Sequence, residues 1–353
     1  METRTATVPA QRSSERTRLT STEVVQFVTG SAIWAPSVHN TQPWRFTVQG
    51  TEIALHADRR RQLYIADPGG REMLISCGAA LFTAKLALRA LGFAADSLVL
   101  PDPADPLLVA RLRWRRREPL TLAEELLFRQ VTRRRTHRGG FEPVPLAQGL
   151  LSVLRMGAIR DGAALRVASD DGSRAALADV VRTADLVQHL DSAYLRELAD
   201  WAPPPGSMRP DGVSPSAYPA RPGRTSPYFP AGDFARGHGW GLPPSSSPAG
   251  PASYVGTVCV LTTPDDTPAD WVNAGHALQR TLLTASAYGA AAALYSQPIE
   301  VTWLRQVLRA QLGSGSHPQL VLRLGTVIQN EVSARRPLGS VLEAGEPEPP
   351  AGQ

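Results

Sequence analysis

The sequence predicts an α+β fold built from two copies of one unit. Two helix-like segments share a pattern: GAALFTAKLALRALG from Gly78 to Gly92 and GHALQRTLLTASAYG from Gly275 to Gly289 both open on G-x-A-L and reach a second glycine fourteen residues on. Each is followed by a Pro-led strand. PLLVARL at Pro106 to Leu112 and PQLVLRL at Pro318 to Leu324 agree at five of seven positions and are apolar enough for a sheet interior. Like elements recurring in the same order mark an internal repeat. Helices mix with short strands without the strict βαβ succession of a doubly wound sheet, which is why the class is α+β.

Taken in order, residues 1–19 are polar and aperiodic and read as a disordered tail. A helix follows over Ser21 to Ala35, with Thr20 as its cap, Glu23 completing a capping box and Pro36 stopping it. RFTVQG and TEIALHAD form a hairpin about Gly50. Beyond the first repeat helix and strand, residues 121–133, 173–201 and 302–312 read as helices, and YVGTVCVLTT from Tyr254 as a buried strand. The uncharged run Thr281 to Ile299 is as long as a membrane span, but it is Ala-rich and carries Ser, Thr, Gln and Pro, so a buried helix is expected. From Ala202 to Ser253 the chain has 13 Pro and 8 Gly in 52 residues, a density that no helix or central strand survives. A loop of that length is a lid, a binding loop or a linker. Residues 343–353 form a Pro/Glu/Gly tail. The first unit is then 20–120 and the second 121–342, with 202–253 inserted in it.

At 353 residues the chain can bury a large core without crosslinks. Its two cysteines, Cys77 and Cys259, are too few for a disulfide framework or a thiolate metal site and fit a reduced, cytoplasmic setting. The histidines show no metal-ligand spacing, so no metal is expected. The net charge of +5 rests on 37 basic residues of which only Lys85 is lysine. No helix-turn-helix, zinc or stacking-aromatic motif accompanies the arginines, so a small molecule is expected as partner, and neither nucleic acid nor a membrane.

Two segments carry candidate chemistry. APSVHNTQPWRF, Ala35 to Phe46, puts a hydroxyl, two amides and two prolines on a stiff turn just before a strand, which suits the polar edge of a flat heterocycle. RQVTRRRTHRGGFEP, Arg129 to Pro143, gathers four arginines, a threonine and a histidine within six residues, suited to a phosphate monoester because Arg forks match phosphate oxygens. Arg335 and Arg336 could close on the same anion. The plainer readings are a helix-stop turn and a solvated basic face.

The chain resembles the nitroreductase superfamily of FMN proteins, and within it the long, internally duplicated Acg branch. APSVHNTQPW, DPGGREMLISCGAAL (Asp67 to Leu81), RRTHRGGF (Arg134 to Phe141), SQPIE (Ser296 to Glu300) and ARRPL (Ala334 to Leu338) carry the likeness, over about residues 20–342. The resemblance implies a nitroreductase-like fold whose two fused repeats form an intrachain pseudo-dimer, so that one chain suffices for one flavin site. It places Ser37, Asn40 and Gln42 along the flavin ring and ribityl chain, and Arg134, Thr136 and Arg138, with Arg135 beside them, in the phosphate motif. Arg335 and Arg336 fall at the late phosphate-binding positions, and Pro298, Ile299 and Glu300 in the segment whose backbone approaches the ring. The implied activity is hydride transfer from NAD(P)H through FMN to a nitroaromatic, quinone or enone, with no side chain needed as nucleophile or base. The other reading is a flavin-holding protein with little turnover, its ring covered by the Pro/Gly segment through Tyr218, Tyr228, Phe229, Phe234 and Trp240.

Overall fold

The Thr20 hydroxyl accepts the Glu23 backbone N–H at 3.2 Å while the Thr20 N–H donates to the Glu23 carboxylate at 2.8 Å, so the first helix, α1 (Ser21–Ala32), starts from a closed capping box. Val24, Val25 and Val28 form its buried face. The computed structural model describes residues 19–214, 217, 225–230, 254–313, 315–327 and 333–344. Residues 1–18 of the tail expected over 1–19, and Tyr218, Phe234 and Trp240 of the Pro/Gly segment, lie outside these.

In the first half, the hairpin β1 (Trp44–Gln49) and β2 (Glu52–Ala57) turns at Gly50, and α2 (Arg71–Ala90), β3 (Phe93–Val99) and β4 (Leu108–Arg117) follow. In the second half, α3 (Leu122–Phe128) and α4 (Gln148–Arg160) lead into β5 (Ala164–Val167), then α5 (Asp171–His189) and α6 (Ser192–Asp200). After the Pro/Gly segment come β6 (Thr257–Thr263), α7 (Pro268–Ala287), β7 (Ala290–Tyr295), the single turn α8 (Gln297–Glu300), α9 (Thr302–Leu312), β8 (His317–Thr326) and β9 (Leu342–Ala344). The helix expected over 173–201 is thus two, broken at Leu190 and Asp191, where the Asp191 side chain caps α6.

The first sheet has the order β3-β4-β2-β1-β9 and the second β7-β8-β6-β5. With β1 set against β5, β2 against β6, α2 against α7, β3 against β7 and β4 against β8, the two sheets have one strand order and every such pairing is antiparallel. The halves differ in their connections, α8 and α9 standing between β7 and β8 where residues 100–107 join β3 to β4 without a helix. Where β1 and β2 are joined by Gly50 and Thr51, β5 and β6 are separated by α5, α6 and the Pro/Gly segment.

The run Thr281 to Ile299, expected as one buried helix, divides into the end of α7, the strand β7 and the start of α8. Gly289, at φ +75°, ends the helix, and Ala290 to Tyr295 then pair along β8. Alanine favours helix in isolation, and the open edge of β8 overrides that preference. The segment set aside as a tail begins inside β9, where Glu343 and Ala344 pair in parallel with Thr47 and Val48 and Glu343 meets Arg45 at 2.8 Å.

The halves meet through α2 and α7, whose facing sides are buried along most of their length. α2 is long and apolar enough to cross a membrane, yet 83% of its apolar stretch is buried within the protein. The crossing is close because Gly78 and Gly275 lie at it. A methyl on Gly275 would fall 2.0 Å from the Ile75 carbonyl oxygen and 2.9 Å from the Gly78 Cα.

Candidate functional site

The chain leaves α1 through Pro36 into a turn held by its own side chains. The Ser37 hydroxyl accepts the Gln42 backbone N–H at 2.9 Å, Thr41 Oγ1 donates to the Val38 carbonyl at 2.9 Å, and Val38 N–H donates to Ser76 of α2 at 3.3 Å. These bonds support three non-glycine residues in left-handed backbone: His39 at φ +46°, Asn40 at +54° and Gln42 at +51°. Each costs on the order of 1 kcal/mol or more, so the turn is a shape the surrounding contacts impose.

Against this turn lies a cavity of about 930 Å³, its mouth included, roofed by α2 and α7 and closed on the far side by β7 and the start of α8. Ser37, His39 and Glu72 line it from the first half, and Thr136, Arg138 and Gln297 from the second. Thr136 is positioned by a parallel bridge to Ala292 of β7, and the His137 N–H donates to the Ala292 carbonyl at 2.8 Å. The Gln297 amide oxygen is shut off from solvent and has no hydrogen-bond partner among the described residues. His39 is held neutral: burial first, then the charge of Arg138, lower its pKa to about 3.

Beside the cavity the arginines gather around Trp34. Arg134 is buried and Arg135 and Arg335 partly so. The Arg135 and Arg335 guanidiniums lie 5.1 and 5.6 Å from the Trp34 ring centre, and Arg134 and Arg335 each donate to the Trp34 carbonyl at 3.4 Å. No carboxylate is within ion-pair distance of these three among the described residues. Arg134 Nε and Nη1 and Arg335 Nε are enclosed and find no hydrogen-bond partner among them either. Burial, with the like charges of Arg135 and Arg138, pushes Arg134 down to about 9, and burial with Arg134, Arg135 and Arg138 pushes Arg335 well below its ordinary value. Buried cations without counterions are costly, and an anion bound among them would offset the cost.

Not every residue expected at the site faces the cavity. The Gln42 side chain is fully buried and fully used: its amide donates to the Pro210 carbonyl at 2.9 Å and accepts the Arg336 N–H at 2.8 Å. Asn40 donates to the Gly212 carbonyl at 3.0 Å and accepts from Arg335 at 3.2 Å. Arg336 is a clamp, its guanidinium bound to the Gln42 and Ser340 carbonyls. Pro298 and Ile299 are buried in α8 and leave the cavity wall to Ser296 and Gln297, just before them.

Other groups become visible only in three dimensions. Glu72, in the first turn of α2, is buried on the cavity wall, 3.8 Å from Arg71 and close enough to Glu300 for the two carboxyls to act on each other. Gln188 of α5 donates to Glu300 from the other side. Burial and the charge of Glu300 push Glu72 well up, and burial together with Asp67 pushes Glu300 up to about 7. Glu72 was legible only as an acid opening an apolar helix, a place where it serves the helix dipole.

The stretch between β5 and β6 reaches over to the first half. Glu197 of α6 accepts the Ile65 and Ala66 N–H groups at 3.0 and 2.9 Å, the Arg61 guanidinium lies 5.2 Å from the Trp201 ring centre, and Arg61 pairs with Asp211. Phe229 packs on Tyr295 at 5.5 Å beside the buried Arg323, whereas Tyr228 is largely exposed, and neither lines the cavity.

No family model matches the chain. It is 34% identical over 339 residues to Rv3131 of Mycobacterium tuberculosis H37Rv, provisionally named an NAD(P)H nitroreductase, with 93% of each chain covered. To the acg protein of the same organism, provisionally named in the same way, it is 29% identical over 335 residues, covering 92% of this chain and 96% of that one. Among solved structures, an FMN-bound nitroreductase from Desulfitobacterium hafniense DCB-2 aligns at 13% identity and TM-score 0.37, over 61% of this chain and 96% of its own. Identity at this level across nearly the whole of both chains establishes the relationship: the chain belongs to the NAD(P)H nitroreductase family, alongside the mycobacterial acg protein.

Proposed function

We propose that the chain is an FMN-dependent oxidoreductase that passes hydride from NAD(P)H to a small electrophilic acceptor, a nitroaromatic, quinone or enone. The observation that carries this reading is the uncompensated arginine group around Trp34, contiguous through Arg138 and Thr136 with a cavity lined from both halves of the chain. Enclosed guanidinium nitrogens without partners fit a phosphate monoester, and the unpartnered Gln297 oxygen fits a ring with polar edges. FMN, when bound, would supply a two-electron carrier between nicotinamide and acceptor.

Arg134, Arg135 and Arg335 would hold the phosphate. Thr136, Arg138 and Ser37 would line the ring and ribityl chain, with Arg138 supplying positive charge, while Asn40 and Gln42 keep the strained turn in place by binding Pro210 and Gly212. We read the two halves as a pseudo-dimer, supported by the shared strand order and the glycine crossing of α2 and α7. The test is anaerobic addition of NADPH to the purified, yellow protein. Bleaching of the visible flavin band supports the oxidoreductase. A band that persists with NADPH and NADH alike would mean that the chain holds flavin without turning it over.

A further inference from the structure

Glu72 and Glu300 form a carboxyl pair with too little compensation for two charges. Glu72 Oε1 and Glu300 Oε1 are both shut off from solvent and without a hydrogen-bond donor among the described residues. Their nearest cation, Arg71, stands 3.8 Å from Glu72 and is drawn also toward Asp266 at 3.6 Å, while its hydrogen bonds go to the Pro318 and Gln319 carbonyls. Asp67 adds a third negative charge, Arg305 faces Asp266 at 3.7 Å, and the Tyr194 phenol feels both glutamates. Two neighbouring carboxyls, each with a buried and unpartnered oxygen, keep one proton between them, since ionising both would set like charges together in a poorly solvated site. Glu72 borders the cavity and Glu300 stands behind it, anchored by Gln188.

We propose that the Glu72–Glu300 pair stores a proton at neutral pH and that Glu72 delivers it to the acceptor bound in the cavity. The proposal rests on the oxidoreductase reading for its hydride. A quinone-type acceptor gains two electrons and one hydrogen as hydride, which leaves its second oxygen anionic. The Glu72 O–H bond breaks, the acceptor O–H bond forms, and the pair is left doubly ionised until solvent at the cavity mouth returns a proton. Glu72 is the catalytic acid, and Glu300 a positioning residue that keeps it protonated.

The first readout is the carbonyl stretch of a protonated carboxylic acid, recorded by infrared difference spectroscopy on the unloaded protein at pH 7.5, where ordinary carboxyls are ionised. Wild type should show the band, Glu72→Gln should abolish it, and Glu300→Gln should move its titration to lower pH. A wild-type protein without the band, or a band untouched by Glu72→Gln, overturns the proposal even if a variant folds poorly. The second readout starts from the FMN-loaded protein reduced with dithionite and mixed with benzoquinone. Glu72→Gln should slow reoxidation about a hundredfold or more, with partial rescue by Glu72→Asp. Reoxidation at the wild-type rate overturns proton delivery. Because dithionite bypasses the nicotinamide, failure of NADPH to reduce the flavin would count against the oxidoreductase reading alone.

Discussion

Gly78 and Gly275 meet across the two halves of the chain in a reciprocal contact. A methyl on Gly78 would lie 2.2 Å from the carbonyl oxygen of Val272, three residues before Gly275, and a methyl on Gly275 would lie 2.0 Å from that of Ile75, three residues before Gly78. Contacts of this form, i to j and j to i, characterise an isologous interface. The two glycines also open the two repeated sequence segments, and they lie inside α2 and α7 at corresponding positions.

Gly275→Ala should therefore destabilise the protein by about 1 to 3 kcal/mol or more, because the added carbon meets backbone that cannot step aside. Gly149→Ala, in α4, meets nothing within 4 Å and should be neutral or stabilising by up to about 1 kcal/mol. Urea denaturation of both variants gives the comparison. Equal, small effects would mean that α2 and α7 do not approach so closely in solution.

One FMN per chain is expected, since the Trp34 arginine group adjoins a single turn of the Ser37 type. Denaturing the protein and measuring released flavin against protein mass decides it. Two per chain would require a second complete site and would remove the pseudo-dimer reading.

Arg134→Ala should cost a charge-assisted contact of about 1.5 to 3 kcal/mol, roughly ten- to over a hundred-fold in FMN affinity. Riboflavin, which lacks the phosphate, should lose far less. Equal losses for the two ligands would show that Arg134 supports the fold and does not read the phosphate. The same crowding of cations predicts that millimolar inorganic phosphate raises the unfolding temperature of the flavin-free protein, and that Arg134→Ala weakens the effect.

Glu300 gives a pH dependence. Its carboxyl is raised from an ordinary 4.5 to about 7, by burial above all, so the folded chain holds this proton more tightly than the unfolded chain does. The associated stability is complete below pH 4.5 and is lost as the pH rises through about 7, at up to about 1.4 kcal/mol per unit. His39, lowered to about 3, acts in the opposite sense and costs stability as the pH falls below 6.5. Glu300→Gln should flatten the loss between pH 5 and 8 and leave the acid limb in place. Unfolding midpoints across that range check this, and an unchanged slope would count against a raised Glu300.

Asp211→Ala removes the partner of Arg61 and should loosen residues 209–213 from the Asn40 and Gln42 turn. The expected outcome is faster quenching of bound flavin fluorescence by iodide with FMN still bound. Unaltered quenching would show that the segment does not control access to the cavity.

The sequence by itself determined the units of this protein: the capped first helix, the hairpin at Gly50, the long apolar helices with their glycines, and the Pro-led strands. Each is written in local terms, as a cap, a turn residue or an apolar period, and each survives in the fold. The motif residues Ser37, Thr136 and Arg138 could also be read from their order, and they do meet at one cavity. Only the tertiary structure decided which polar side chains face it. Gln42 and Arg336 carry the right chemistry but spend it on each other and on Pro210, while Glu72, unremarkable in the sequence, turns to the cavity wall beside Glu300. The strand Ala290–Tyr295 was likewise hidden behind helix-favouring alanines. Its identity depends on a hydrogen-bonding edge on β8 that comes from a later part of the chain, and a partner of that kind leaves no mark on the local sequence.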